Sequence, residues 1–169
     1  DYTPGILETQ LKTWSSNQNY VHTTLVGQLA LYLVMYSPLQ MAADLPENYQ
    51  KYDDAFQFIR DVPCDWDDSK YLEAEPAKFI TVARKGKGSD DWYVGGKCDA
   101  DGHKSVVKLD FLDKGRIYDC TIYADAQDAS FDKNPKAYVI THKKVRRGDT
   151  LRLTEAPGGG FAVSLKAVR

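Results

Sequence analysis

Apolar residues at Val21, Leu25, Leu29, Leu33 and Tyr36 recur at helical spacing and predict a helix over about 21–36. Its second half, Leu29 to Tyr36, is apolar all round, as in a helix enclosed by a larger structure. Residues 1–20 read as loop: Thr3-Pro4-Gly5 is a turn signal, Ser15 to Asn19 is a polar cluster, and Asn19 is a candidate N-cap. Ser37-Pro38 stops the helix, because proline disfavours helical geometry in the residue before it. The short apolar run Pro38–Ala43 predicts a buried strand closed by Asp44, and Leu45 to Tyr49 reads as a loop. A second helix is expected over about 52–60, with Phe56 and Ile59 inward. Helix, strand, loop and helix in that order belong to α/β folds with parallel strands.

After Val62-Pro63 the period changes to two. Strands are expected at 78–85, 91–97, 104–111, 116–125, 137–145, 150–154 and 160–168, with an earlier short one near 70–74. Gly86–Asp90, Asp99–Gly102, Asp113–Gly115, Arg147–Asp149 and Pro157–Gly160 carry turn residues between them. Alternation in Thr121–Ala124 and Thr150–Thr154 predicts one apolar face and one wet face, as in antiparallel sheets. Seven or eight such strands in a row read as a β-sandwich.

The fold class expected is therefore α/β plus all-β, divided as 1–63 and 64–169. The 169 residues suit one medium domain, or a small domain plus part of another, and 43% hydrophobic with 12% aromatic residues excludes a disordered chain. A net charge of −2 argues against whole-molecule attraction to nucleic acid or to an anionic membrane. The balance is even: residues 1–60 carry three Lys/Arg against six Asp/Glu, and residues 61–169 nineteen against eighteen. No apolar run approaches the roughly 18 residues of a membrane span. The N-terminus shows no basic region followed by an apolar one, and the chain opens inside what reads as a loop. Cys64, Cys98 and Cys120 form no C-x-x-C pair, and His22, His103 and His142 are not spaced for zinc, so the cysteines are expected to be small buried or half-buried residues.

A set of short motifs runs along nearly the whole chain. D-Y-T-P-G-I stands at 1–6, V-H-T-T-L at 21–25, Q-L-A-L-Y at 28–32 and M-Y-S-P-L-Q-M-A-A-D-L-P-E-N-Y at 35–49. D-A-F-Q-F-I-R-D-V-P follows at 54–63, D-W-D-D at 65–68, D-D-W-Y-V-G at 90–95 and A-P-G-G-G-F-A at 156–162. In this order they resemble glycoside hydrolase family 97. The resemblance implies the end of a catalytic (β/α)₈ TIM-type barrel followed by a C-terminal antiparallel β-sandwich. In that frame the helix at 21–36 is the seventh barrel helix, 38–43 the eighth strand and 52–60 part of the eighth helix. It also implies a bacterial exo-acting hydrolase of terminal α-glycosidic bonds, an inverting α-glucosidase or a retaining α-galactosidase. A calcium ion near the sugar belongs to the intact family enzyme, and none is expected on this chain alone. The implied partners are an α-linked oligosaccharide, the remainder of the barrel on the same or a separate chain, and a homo-oligomer; the implied location is periplasmic or secreted. The family's catalytic carboxylates fall before residue 1, so this piece alone is expected to be inactive.

Glycoside hydrolysis needs two carboxyl groups roughly 5–9.5 Å apart. The carboxylates that fall in the barrel part are Asp1, Glu8, Asp44 and Glu47. Barrel enzymes carry their sites beyond the C-terminal ends of strands, which makes Asp1, Tyr2 and Asp44 the candidates for lining the substrate pocket of the intact enzyme. Against this, Asp44 also reads as a loop-start cap, and His22 as a core or capping residue. Trp66, Trp92, Tyr93, Tyr118 and Tyr123 read as core or junction residues before they read as a sugar-stacking platform; Trp92 and Tyr93 point to opposite faces. Asp65, Asp67 and Asp68 lack calcium-loop spacing, and His142–Arg147 reads as a solvated strand end. Pro157–Gly160 lacks the Gly-Lys-Ser/Thr of a phosphate loop.

Overall fold

A computed structural model describes the backbone of residues 2–11 and 19–168. Two short strands, β1 (Gln10–Leu11) and β2 (Asn19–Tyr20), pair antiparallel inside the segment expected to be loop. Then come the helices α1 (Leu25–Val34), α2 (Pro46–Lys51) and α3 (Asp53–Asp61). Eight strands complete the chain: β3 (Trp66–Glu75), β4 (Phe79–Gly86), β5 (Trp92–Cys98), β6 (His103–Lys108), β7 (Ile117–Asp125), β8 (Tyr138–Arg146), β9 (Thr150–Glu155) and β10 (Gly160–Ala167). Among the described residues the architecture is thus mainly antiparallel β with few helices.

The strands form a six-stranded sheet in the order β3-β4-β5-β10-β7-β8 and a two-stranded sheet β6-β9. The last strand lies in the middle of the large sheet, where Val163 stands between Val94 and Ile122. Between the two sheets lies one core, built on Trp92, Val94, Tyr118, Leu151, Phe161 and Val163. Each of the aliphatic and Phe side chains contributes about 1.5–3 kcal/mol on burial. The opposite face of the large sheet is not the wet face that alternation predicts. Tyr93, Tyr123 and Ala162 point from it into a second core with Leu25, Leu29 and Phe58 of α1 and α3. Apolar and polar alternation therefore reports the β6-β9 ribbon well and fails for a sheet covered on both sides.

α1 explains that second core. Leu25, Leu29 and Leu33 are fully buried, and so is the other side of the helix at Val26 and Ala30. The helix starts four residues later than the apolar spacing predicts, because its N-cap is Thr24 and not Asn19. Thr24 Oγ1 accepts from Gly27 N at 3.0 Å. Residues of the β-rich part pin both ends: Leu25 N donates to Pro135 O, and Arg84 Nε donates to Leu33 O at 2.7 Å. A buried guanidinium at a helix C-terminus answers both the free carbonyls and the dipole. Close approach needs Gly95, since a Cβ there would lie 2.8 Å from the Leu33 side chain.

Three further expectations are corrected. Leu45–Tyr49 is not a loop: Pro46 occupies the first turn of α2, where its missing N–H costs nothing. The strand near 70–74 is a ten-residue edge strand with register shifts at Trp66/Asp68 and Tyr71/Glu73, irregularities that blunt an otherwise open edge. The expected strand at Pro38–Ala43 is reduced to one parallel bridge, Tyr2 to Gln40, flanked by bonds from Tyr2 N to Leu39 O and from Met41 N to Tyr2 O.

Candidate functional site

Residues 2–8 run between α1, α2 and the segment 39–44, and the side chains expected to matter gather there. Gly5 (φ +92°) turns the chain under Tyr32, whose hydroxyl stands 3.3 Å from Pro4 O and 3.1 Å from Met41 O. Gln28 Oε1 accepts from the amides of Gly5 and Ile6, and Tyr49 donates its hydroxyl to Gly5 O. Tyr2 is half-buried and its phenol is pushed up by burial. Asp1 lies outside the described residues.

Asp44 is the hub of this segment. Its Oδ2 accepts from Leu7 N and Glu8 N, both at 2.8 Å, and its Oδ1 from Leu45 N and Asn48 Nδ2 at 2.8 and 2.6 Å. Its own amide donates to the Tyr49 hydroxyl. Four charge-assisted bonds account for the carboxylate without a ligand and tie residues 7–8 to the start of α2.

Glu8 is the second hub. Its Oε2 accepts from Lys51 Nζ at 2.6 Å and from the Tyr52 hydroxyl at 3.1 Å, and its Oε1 from Lys136 Nζ at 2.6 Å. Burial alone raises this carboxyl, but the bonds from Lys136 and Lys51 outweigh it and hold Glu8 at about 2. Lys136 comes from the β7–β8 connection, so Glu8 joins the N-terminal segment to the β-rich part. Glu47 is exposed in the first turn of α2, where the helix dipole favours a negative charge.

The remaining candidates are placed as structural groups. Trp92, Tyr93, Tyr118 and Tyr123 are buried, Trp66 is half-buried against Tyr93, and Trp92 and Tyr93 enter opposite cores. His22 is exposed and stacks on Tyr20, so it is neither core nor cap. Asp65 pairs with Lys87, Asp68 with Lys70, and Asp67 accepts from Gly88 N. The three cysteines are free thiols; burial pushes Cys98 to about 12 and Cys120 to about 11. The Pro157–Gly160 turn serves α1: Gly158 O accepts from Thr24 N and from Lys97 Nζ. A surface hollow of about 530 Å³ lies elsewhere, between Pro76, Phe79 and Lys97.

One buried acid escaped the sequence reading. Glu155 is 2% exposed and its carboxyl is raised to about 6 by burial, with Glu73 adding to the rise and Ser105, His103 and Cys98 opposing it. The signal was present: Glu155 continues the parity of Leu151 and Leu153 along β9, so it occupies a core-facing position.

A family profile described as "Glycosyl-hydrolase 97 C-terminal, oligomerisation" matches residues 65–166. A retaining α-galactosidase from Bacteroides thetaiotaomicron is 34% identical over 98% of this chain and 25% of its own length. A probable retaining α-galactosidase from Streptomyces bingchenggensis is 26% identical over 96% of the chain and 22% of its own length. Among solved structures, a glycoside hydrolase family 97 enzyme from Pseudoalteromonas sp. strain K8, in complex with panose, is 42% identical. It superposes with a TM-score of 0.92 over 98% of this chain and 26% of that one. The chain thus spans about a quarter of the length of the relatives it matches.

Proposed function

We propose, since the chain belongs to glycoside hydrolase family 97, that the polypeptide it is part of hydrolyses terminal α-glycosidic bonds. The observation that carries this reading is a match over 98% of the chain at 34% identity to a glycosidase. Residues 1–63 then close the catalytic barrel, and residues 64–169 form the supporting sandwich. Support for a barrel end comes from the parallel bridge between Tyr2 and Gln40 with α1 between the two segments, because parallel neighbours need such a crossover. Asp44 ends the second segment, at the side where barrel enzymes carry their sites. In this reading Asp1, Tyr2 and Asp44 belong to the pocket wall, and Asp44 acts by holding residues 7–8 in place.

The chemistry itself is assigned to carboxylates outside this chain. The calcium that the resemblance implies is proposed to lie there too. The location proposed is periplasmic or secreted. For the sandwich we propose a packing role against the barrel or a second subunit, supported by the profile's description and by α1 and α3 filling one sheet face.

The test is hydrolysis by the longer polypeptide of aryl α-glucosides, aryl α-galactosides and panose. Release of sugar from one series is expected and identifies the glycone; turnover of none of them overturns the reading.

A further inference from the structure

Between β3-β4 of the large sheet and the β6-β9 ribbon, four oxygen-bearing side chains stand in line. Thr81 Oγ1 lies 2.9 Å from Glu73 Oε1, Thr81 Oγ1 lies 3.2 Å from Ser105 Oγ, and Ser105 Oγ lies 2.8 Å from Glu155 Oε1. Thr81, Ser105 and Glu155 are buried, at 0%, 1% and 2% exposure. Three contacts need three protons, and each hydroxyl supplies one. With both carboxyls ionised, Thr81 donates to Glu73 and Ser105 donates to Glu155. The central contact then sets two lone pairs against each other in a dry core, an arrangement with a substantial penalty. One further proton repairs it. A protonated Glu155 donates to Ser105, Ser105 to Thr81, and Thr81 to Glu73.

We propose that Glu155 and Glu73 share a single proton through Ser105 and Thr81, and that this proton fastens the two-stranded sheet to the six-stranded one. The buried end holds it. Glu73 is the solvent-facing end, since its side chain is 30% exposed and His103 Nε2 stands 3.5 Å away. The His103 ring is stacked on Phe79 with centroids 3.7 Å apart, which fixes its place. The other groups facing Glu155 fit the assignment. Cys98 of β5 is a neutral thiol directed at Ala156 O. Lys97 spends its ammonium on the carbonyls of Cys98, Gly158 and Gly159. Asp125 of β7 accepts from the amides of Ala156 and Gly160. No full positive charge therefore contacts Glu155, and its second oxygen has no partner among the described residues.

The sign follows from a folded carboxyl raised to about 6 from an ordinary 4.5. The fastening is complete below the ordinary value and is lost as pH rises through about 6. The device thus tightens the sandwich in mildly acidic surroundings.

Glu155→Gln mimics the protonated acid, because its amide donates to Ser105 at every pH. Urea midpoints of the chain are to be measured from about pH 5 to about pH 7.5. The wild-type midpoint is expected to fall across this range by clearly more than that of Glu155→Gln, and the variant is expected to be the more stable at the upper end. Parallel curves, or a variant less stable at the upper end, overturn the proposal. Carbon-13 carboxyl NMR on glutamate-labelled chain gives an independent reading that does not need this variant to fold. One glutamate is expected to titrate near the upper value, and in Glu73→Gln that titration moves to lower pH. Titration of every glutamate in the ordinary range, or an unmoved one in Glu73→Gln, overturns it equally.

Discussion

Glu8 receives three bonds from Lys51, Tyr52 and Lys136, and a carboxyl held at about 2 makes that cluster pH-dependent in the acid range. A depressed acid contributes stability that is present above its ordinary value and is lost as pH falls through the folded one. Glu8→Gln is therefore expected to lower stability by about 1–2 kcal/mol at neutral pH, after allowance for solvent screening, and to flatten the loss between about pH 4.5 and about pH 2. Urea titrations of the two chains at several pH values check this; an unchanged acid limb removes the role. Asp44 and Glu8 were both legible as carboxylates of the barrel part, Asp44 also as the residue that closes an apolar stretch. Their partners were not: Leu7 and Asp44 are bonded across 37 positions, and Glu8 and Lys136 across 128. Only folding selects such pairs from among the many charges available.

At the scale of elements, local signals did well where local forces decide. Six of the eight strands from β3 onward lie within a residue or two of their expected spans, because glycine-containing turns and two-residue periodicity are both short-range, while β3 starts four residues before its expected span and β6 ends three residues short. They did less well for α1 and the start of α2. The α1 spacing continues through residues that cap and approach the helix, and Leu45-Pro46 reads equally as a turn or as a helix start. What settles α1 is distant: Pro135 and Arg84 take its ends, and Gly95 lets it lie against β5. Gly95→Ala inserts a methyl group at the Leu33 contact and is expected to cost about 1–3 kcal/mol. A chemical-denaturation midpoint checks it, and a change below a few tenths would mean that the helix shifts freely over the sheet.

For the molecule as a whole, the two cores meet at the large sheet, which the helices cover from one side and the β6-β9 ribbon from the other. Among the described residues an apolar stretch is exposed within this chain: Met35, Tyr36, Leu39, Met41 and Leu45 are each more than 40% exposed. Solvated apolar patches of this kind promote association. The chain is expected to self-associate with rising concentration, and Leu39→Glu with Leu45→Glu is expected to suppress this. Light scattering over a concentration series decides; a monomer at all concentrations in the unaltered chain would show that the stretch is tolerated in water.

By itself the sequence determined the order and type of most elements, the change from helical to strand periodicity after Val62-Pro63, and the family, since these rest on spacing and on short motifs read in order. Tertiary structure decided that the large sheet is buried on both faces, that Asp44 spends its carboxylate on three backbone amides and the Asn48 side chain, and that Glu155 meets Glu73 through two hydroxyls. Each of those depends on which distant group arrives within a few ångströms, since hydrogen bonds and apolar contacts are both short-range. Periodicity records which way a residue points; only the folded chain supplies what it points at.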